Sequence, residues 1–306
     1  MDFYHRSVLL EETIQYLNVK EDGIYFDGTL GGAGHSSEIL KRLDNGMLVA
    51  VDKDQDALDY SIKKLKSIGE NFVIAKLDFK DIDLLLDSLL IKKIDGAVID
   101  LGVSSYQLDQ ADRGFSFLKE AKLDMRMDKA QSVDAHFVVN HYTLEQLTEI
   151  IKDYGQEKFA HRVAKKIVES RPIDTTLQLA ELVKSVVPFS KKETKHPATR
   201  TFQAIRIEVN QELKNLDKAI RKLVDRMNPG ARLCIITFHS LEDNIVKKTF
   251  MDLESDCECP PELPVCVCNK KSKVKRVIKK AIKATDKELV ENPRSRSAQL
   301  RVVEVL

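Results

Sequence analysis

The chain has 306 residues, of which 43% are hydrophobic and 32% charged, with a formal net charge of +1. This is enough apolar volume for one large α/β domain or two smaller ones, and it excludes a disordered chain. No apolar run approaches the roughly 20 residues of a membrane span, and no leader pattern precedes the first helix, so the expectation is a cytoplasmic protein with no membrane partner.

In chain order, "HRSVLLEETIQYL" has the apolar spacing of an amphipathic helix, and strands then alternate with helices. "GIYFDGTL" reads as a first strand and "AGHSSEILKRL" as its helix. "GMLVAVD" reads as a second strand ending at Asp52, with "QDALDYSIKKLKSI" as the next helix. "NFVIAKLDF", "DIDLLLDSLLI" and "IDGAVIDLGVSS" complete a third strand, a helix and a fourth strand. Strands rich in Val, Ile and Ala between helices predict a parallel sheet covered on both faces.

From about Tyr106 to Pro197 the alternation stops, and "AHFVVNHYTLEQLTEIIKDYG", "EKFAHRVAKKIVES" and "TLQLAELVKSVV" read as helices. The expected organisation is a sheet domain in two parts, 1–105 and 198–306, with a helical insertion over 106–197. "TRTFQAIRIEVNQELKNLDKAIRKLVDRM" reads as one long helix closed by "NPG". "ARLCIITFHS" restores the strand pattern, and "SAQLRVVEVL" reads as a final, antiparallel strand.

The near-zero net charge hides local asymmetry. "KKSKVKRVIKKAIK", Lys270 to Lys283, carries eight cations and no acid, and "SKKETKHPATR" forms a second cluster ending at Arg200. Such clusters form a solvated face or, through counterion release, a contact for a polyanion. Four of the five cysteines, Cys257, Cys259, Cys266 and Cys268, crowd into "CECPPELPVCVC". A disulfide framework does not suit a reducing cytoplasm, which leaves a zinc tetrathiolate or free surface thiols. The usual zinc spacing is Cys-x2-4-Cys, and Cys-x-Cys brings the thiolates close together. Cys234, inside an apolar run, reads as core.

"DGTLGGAGHSSEIL" places four glycines in seven positions between the first strand and its helix. A dinucleotide fingerprint needs Gly-x-Gly-x-x-Gly, and here Gly32 and Gly34 are followed by Ser37 at the third position. Asp52, ending the second strand, stands where a carboxylate chelates the ribose hydroxyls of an adenosine. A pyrophosphate prefers cations and a helix N-terminus, whereas a sulfonium and ammonium prefer carboxylates. Asp27, Asp52, Asp78 and Asp100 lie at or near strand ends and no Lys or Arg lies within the turn, which favours S-adenosylmethionine.

"HRSVLLEE", "DGTLGGAGHS", "DLGVSSYQLD", "RGFSF", "LDMRMD", "HPATRTFQAIRIEVNQEL", "ITFHSLED" and "NPRSRSAQLRVVE" occur in one order across nearly the whole chain. Together they resemble the bacterial ribosomal RNA small-subunit methyltransferase H family. That resemblance implies an α/β fold with a class I, Rossmann-like methyltransferase sheet and a helical insertion. It also implies methyl transfer from S-adenosylmethionine to the N4 amine of a cytosine in 16S ribosomal RNA. The implied donor contacts are Ala33, Gly34 and His35 in the turn, Asp52, Phe79, Asp100 and Gln107. Phe79 fits either an apolar face against adenine or a core aromatic.

Many amino methyltransferases carry an Asp/Asn-Pro-Pro-aromatic motif after the fourth strand, where this chain has "DLGVSS". Cytosine N4 is conjugated with its ring, so an acceptor must hold the amine and transfer is governed by positioning and electrostatics. Asp100, Ser104 and Ser105 are the candidates nearest that amine, with His239 as a base, a base-edge contact or a structural turn residue. A flipped or unstacked cytosine would need RNA grips, for which Arg113, Phe115, Arg126, Arg200, Arg206, Arg294 and Arg296 are candidates. For each of these taken singly, a salt bridge or a helix surface is the simpler reading. The expected partner is 16S ribosomal RNA in an assembled or late-assembling small subunit, with oligomeric state, a homodimer included, left open. A nucleotide-dependent oxidoreductase and a non-enzymatic RNA-binding factor are the competing readings.

Overall fold

The computed structural model describes residues 7–188, 196–260 and 267–306. The chain divides into two compact units, one formed by Met1–Gly102 with Asn215–Leu306, the other by Val103–Lys214.

The first stretch of unit 1 contains α1 (Leu10–Leu17), β1 (Ile24–Asp27), α2 (Gly34–Leu40), β2 (Met47–Asp52), α3 (Gln55–Lys66), β3 (Phe72–Lys76), α4 (Ile82–Ser88) and β4 (Ile94–Asp100). Unit 2 contains α5 (Ser105–Asp109), α6 (Ala135–His141), α7 (Leu144–Asp153), α8 (Ala160–Glu169), α9 (Thr176–Val186) and α10 (Ala198–Asn210). Unit 1 resumes with α11 (Leu216–Asp225), β5 (Met227–Thr237), α12 (Ser240–Glu254), β6 (Val274–Arg276), α13 (Asp286–Glu291) and β7 (Gln299–Val305).

Unit 1 is built on a seven-stranded sheet of order β3-β2-β1-β4-β5-β7-β6. β1 to β5 run parallel, and β7 is antiparallel to both β5 and β6. This is the α/β sheet of class I methyltransferases that the sequence resemblance implies. Alternate residues feed two cores, as the period of a strand demands. Phe26, Val49, Ile99 and Ile235 face α4, α11 and α12, while Tyr25, Leu48, Val98 and Cys234 face α1 and α2. The chain winds outward from β1 to β3 and then returns to β4 beside β1. The C-terminal ends of β1 and β4 therefore flank the switch point at which open α/β sheets bind ligands.

Unit 2 has its own core, formed by Val138, Ile151, Val163, Ile167, Leu179, Phe202 and Ile205 among others. Four of its helices, α5, α6, α7 and α9, start on side-chain caps. Thr143 with Gln146 begins α7, and Thr175 with Gln178 begins α9. Each is a reciprocal box that satisfies amides the helix leaves open. Among the described residues of this unit, extended pairing is confined to an isolated bridge between Lys122 and Thr175.

Four details differ from the sequence reading. The single long helix expected after Pro197 is two, α10 and α11, separated at Gln211 (φ 49°) and Asn215 (φ 57°). The break coincides with the second unit boundary. Because Phe202, Ala204, Ile205 and Val209 pack into the helical core, α10 lies in unit 2, beyond the expected boundary at 197. "NPG" does not close the helix: α11 ends at Asp225, and Asn228–Gly230 lie in β5, with Gly230 at φ 82°. Finally, the basic stretch contributes strand β6, paired with β7 and anchored by the buried Val274.

Candidate active site

The turn from β1 into α2 is shaped by close approach. A Cβ on Gly28 would collide with Ile99 Cδ1 and stand 2.8 Å from Phe79 Cβ, and one on Gly34 would collide with Ser7 Oγ. Gly31 takes φ 48° and Ala33 φ 54°, the left-handed region that turns the chain into α2. Around Gly32 there is open space. Ser37, at the third fingerprint position, is buried and turns its hydroxyl back onto the Ala33 carbonyl.

Carboxylates end three neighbouring strands. Asp27, at the end of β1, is buried. Its Oδ1 accepts from Thr29 N (3.0 Å) and its Oδ2 from Ser36 Oγ (2.6 Å). Burial pushes its pKa up to about 6 against those bonds. Asp52, at the end of β2, ties the turn down: Oδ2 accepts from Gly31 N (2.7 Å) and Oδ1 from Asp54 N (2.9 Å). Burial raises its pKa as well. Each oxygen keeps a second lone pair, so Asp52 can still accept from a pair of hydroxyls.

Asp100, at the end of β4, differs from both. Its backbone N–H donates to Thr29 Oγ1 (2.6 Å), but its Oδ1 is buried with no hydrogen-bond partner. Burial, then the nearby charges of Asp27 and Glu242, hold its pKa well above the usual carboxylate range. His35, in the first turn of α2, is buried with Nδ1 3.9 Å from Asp100 Oδ2 and Nε2 3.2 Å from the Val8 carbonyl. A carbonyl only accepts, so the proton sits on Nε2 and the Nδ1 lone pair faces Asp100. Burial lowers the His35 pKa to about 4, which keeps the ring neutral near pH 7.

Asp78 does not join this group. It pairs with Lys53 (2.6 Å) and accepts from Lys80 N, capping the 3-10 turn Phe79–Asp81. Phe79 is half-buried and packs on the core of one sheet face. A cation does reach the turn from elsewhere in the sequence: Lys64 of α3 donates to the Gly32 carbonyl (2.9 Å). It satisfies an acceptor and leaves the amide side of the turn unchanged.

His239 is the N-cap of α12. Its Nδ1 accepts from Glu242 N (3.4 Å), and the buried Glu242 Oε2 accepts from Phe238 N and His239 N. His239 Nε2 stands 3.2 Å from Glu242 Oε1. Nδ1 thus serves the helix cap, while Nε2 is buried with no hydrogen-bond partner among the described residues. In unit 2, Ser104 caps α5 with Gln107 in a reciprocal box, Ser105 opens that helix and Gln107 is buried.

Residues 2–306 match the MraW methylase family. The chain belongs to that family. It is 52% identical over 306 residues to a protein named Ribosomal RNA small subunit methyltransferase H from Clostridium botulinum strain 657, covering 99% of both chains. It is 52% identical over 309 residues to one of the same name from Lachnospira eligens, covering 99% of this chain and 98% of the other. The solved structure of an rRNA methylase from Streptococcus thermophilus aligns over 97% of this chain and 93% of its own, at TM-score 0.41 and 12% identity.

Most of the arginines singled out in this MraW-family sequence have internal work. Arg113 is 3% exposed and donates to the Arg126 and Met127 carbonyls. Arg126 forks onto Asp124 and also reaches the Lys129 and Gln131 carbonyls. Arg206 makes a bidentate pair with Glu212 at 2.9 and 3.0 Å. Phe115 is buried in the core of unit 2 with the Arg113 guanidinium 5.9 Å from its ring centre. Arg200 lies 3.6 Å from Glu157, Arg294 is half-buried and Arg296 is exposed.

Cys257, Cys259 and Cys268 lie together in the loop after α12, and Cys266 is outside the described residues. Cys234 is buried in β5, where burial pushes its thiol up to about 12. Thr29, Ser36, Lys64 and Glu242 escaped the sequence reading. Of these, Thr29 carries a recognisable signal, since Asp-x-Thr after a strand lets the carboxylate accept from the amide two residues on. No helix among the described residues is long and apolar enough to cross a membrane.

Proposed function

We propose that this chain transfers a methyl group from S-adenosylmethionine to the exocyclic N4 amine of a cytosine in 16S ribosomal RNA, acting in the cytoplasm on an assembled or late-assembling small subunit. The observation that carries the reading is Asp100. It is a carboxylate at the switch point, with a buried oxygen that no described residue satisfies and an elevated affinity for a proton. A buried unsatisfied acceptor costs about 1–3 kcal/mol and persists where a ligand completes it. The names of the relatives support ribosomal RNA of the small subunit as substrate class.

The residues present suit the donor. Asp52 has lone pairs left for two ribose hydroxyls, and the narrow turn at Ala33 and Gly34 lets backbone come close. Carboxylates at Asp27, Asp52 and Asp100 favour a cationic ligand over a pyrophosphate. When bound, S-adenosylmethionine supplies an electrophilic methyl on a sulfonium.

Asp100 then accepts a hydrogen bond from the cytosine amine, which holds that nitrogen in line and localises its lone pair as it pyramidalises. The proton lost from N4 after transfer goes to the Asp100 carboxylate, whose raised pKa makes it a stronger base than an ordinary aspartate. His35 keeps a neutral ring beside Asp100, so it does not compete as a cation with the amine for that carboxylate. Ser104, Ser105 and Gln107 follow Asp100 in the chain and shape the segment beyond β4, while His239 and Glu242 hold the segment after β5. Exposed cations, Arg296 with Lys271, Lys279, Lys280 and Lys283, and the helical unit provide the RNA contacts.

Mass mapping of 16S ribosomal RNA from cells with and without the gene tests this reading. Loss of one N4-methylcytosine, restored by the purified chain with S-adenosylmethionine and small subunits, is the expected result. An unchanged map overturns it.

A further inference from the structure

Between α12 and β6 none of the described residues, 255–260 and 267–273, is buried, and Val267 there is 70% exposed. The loop carries three cysteines, Cys257, Cys259 and Cys268, whose Sγ atoms all lie within 4.8 Å of one another. We propose that these three thiols bind a zinc ion that closes the loop. Cys266 lies outside the described residues, and three sulfurs suffice to define the site.

Distance and hydrogen bonding fit this ligand. Zn–S bonds of about 2.3 Å in a tetrahedron set sulfurs about 3.8 Å apart, so a closure of roughly an ångström brings these three into ligating range. Every one of the sulfurs already accepts a backbone amide. Cys259 N donates to Cys257 Sγ, Val267 N to Cys259 Sγ and Glu258 N to Cys268 Sγ, each at 3.4 Å. Outer-shell bonds of this kind orient metal ligands.

The bonds also interlock the two arms of the loop. Glu258 lies between the first two cysteines and bonds the third, while Val267, beside the third, bonds the second. The crowding expected of Cys-x-Cys is resolved the same way, because the amide of Cys259 points at the sulfur of Cys257. A soft, all-sulfur donor set selects zinc over hard cations.

The base of the loop is fixed independently of any metal. Ser272 Oγ donates to the Glu254 carbonyl (2.6 Å), Lys273 N to the Leu253 carbonyl (2.9 Å) and Lys270 pairs with Asp252 (2.7 Å). Three thiolates on a divalent ion leave a net negative charge, and the exposed Lys271 follows the last of them closely in the chain. Binding releases the thiol protons and adds a metal cross-link that joins Cys257 and Cys259 to Cys268.

The test uses the full chain, purified from cells under reducing conditions, with zinc counted by elemental mass spectrometry. About one zinc per chain is expected, lost in each of Cys257→Ser, Cys259→Ser and Cys268→Ser and kept in Cys234→Ala. Cobalt exchanged into the wild type should give a sulfur-to-metal charge-transfer band that the three serine variants lack. Wild type stripped by a chelator should melt at lower temperature and recover with zinc chloride, a readout that needs no variant to fold. The site is refuted if the reduced wild type neither carries zinc nor takes it up from zinc chloride. Zinc content unchanged in the serine variants refutes it equally, as does recovery of these cysteines as a disulfide in metal-free protein.

Discussion

His35 Nδ1 faces Asp100 Oδ2 across 3.9 Å, with the ring proton committed on the far side to the Val8 carbonyl. A lone pair set against a carboxylate offers it no charge to lean on. Asp27 and Glu242 are nearby, so each neighbour of Asp100 resists its ionisation. The arrangement makes Asp100 a base with an unusually strong hold on protons.

Methyl transfer should therefore rise with pH through one ionisation displaced above the ordinary carboxylate range, since the deprotonated form is active. Asp100→Ala should lower kcat by about 100-fold or more, the usual consequence of deleting one positioned hydrogen-bonding group. Asp100→Asn keeps an acceptor oxygen but cannot take the proton, and should flatten the pH profile. Isothermal titration with the donor separates chemistry from binding. Full activity in Asp100→Ala with donor binding intact would remove Asp100 from the reaction.

Two buried groups push stability in opposite directions with pH. His35, lowered to about 4, binds fewer protons folded than unfolded, so stability is lost as pH falls from about 6.5 toward 4. Asp27, raised to about 6, binds more protons folded, so its contribution is present at low pH and lost as pH rises from about 4 through 6. Each amounts to about 3 kcal/mol at most, and Asp100 adds to the Asp27 side. Relative to wild type, His35→Gln should gain urea resistance on acidification from pH 7 to 4, and Asp27→Asn should lose it. Parallel pH curves for both variants would contradict the assignment.

Two neighbouring glycines should respond differently to the same methyl group. Gly34→Ala drives a Cβ into Ser7 and should cost about 1–3 kcal/mol along with donor affinity, whereas Gly32→Ala meets open space and should be tolerated. Ser7→Gly removes the colliding atoms and should rescue Gly34→Ala. Thermal melts of the four proteins, read as a double-mutant cycle, check the coupling.

The arginines separate by where their guanidinium groups point. Arg113→Ala leaves the Arg126 and Met127 carbonyls without their donor and should lower Tm markedly. Arg296 is exposed, and Arg296→Ala should leave Tm alone while reducing the salt slope of RNA binding by about one. Fluorescence anisotropy with a 16S fragment across a salt series distinguishes the two.

The sheet was largely readable because its signals are local. A strand buried on both faces announces itself by an apolar run, and Asp27, Asp52 and Asp100 each follow one directly. The helix break at Gln211–Asn215 was not readable, because "VNQELKNLDKAI" keeps a helical apolar rhythm and two ordinary polar residues take the left-handed turns. β6 was hidden inside a basic run, where Val274 alone marks the buried side. Lys64, Ser36 and Glu242 were invisible for a different reason: they reach the site through tertiary packing, and no spacing in the chain encodes that. The arginines show the converse, since a guanidinium in sequence carries no sign of whether carbonyls wait for it.

The placement of unit 2 between β4 and β5 has a consequence for how the chain is made. At roughly 5–20 residues per second, β4 leaves the ribosome many seconds before the strand that must lie against it. During that interval Ile94–Asp100 is an open apolar edge, the kind that recruits wrong partners. The helical unit emerges in the gap, with a core of its own, and folding there replaces a floppy tether by a compact body and lowers the entropy of closing the sheet. Defects in the interior of that unit, at Val163 or Ile205, should then surface first as aggregation of newborn chains rather than as faulty chemistry. The helices would act as a timing device for the sheet they interrupt.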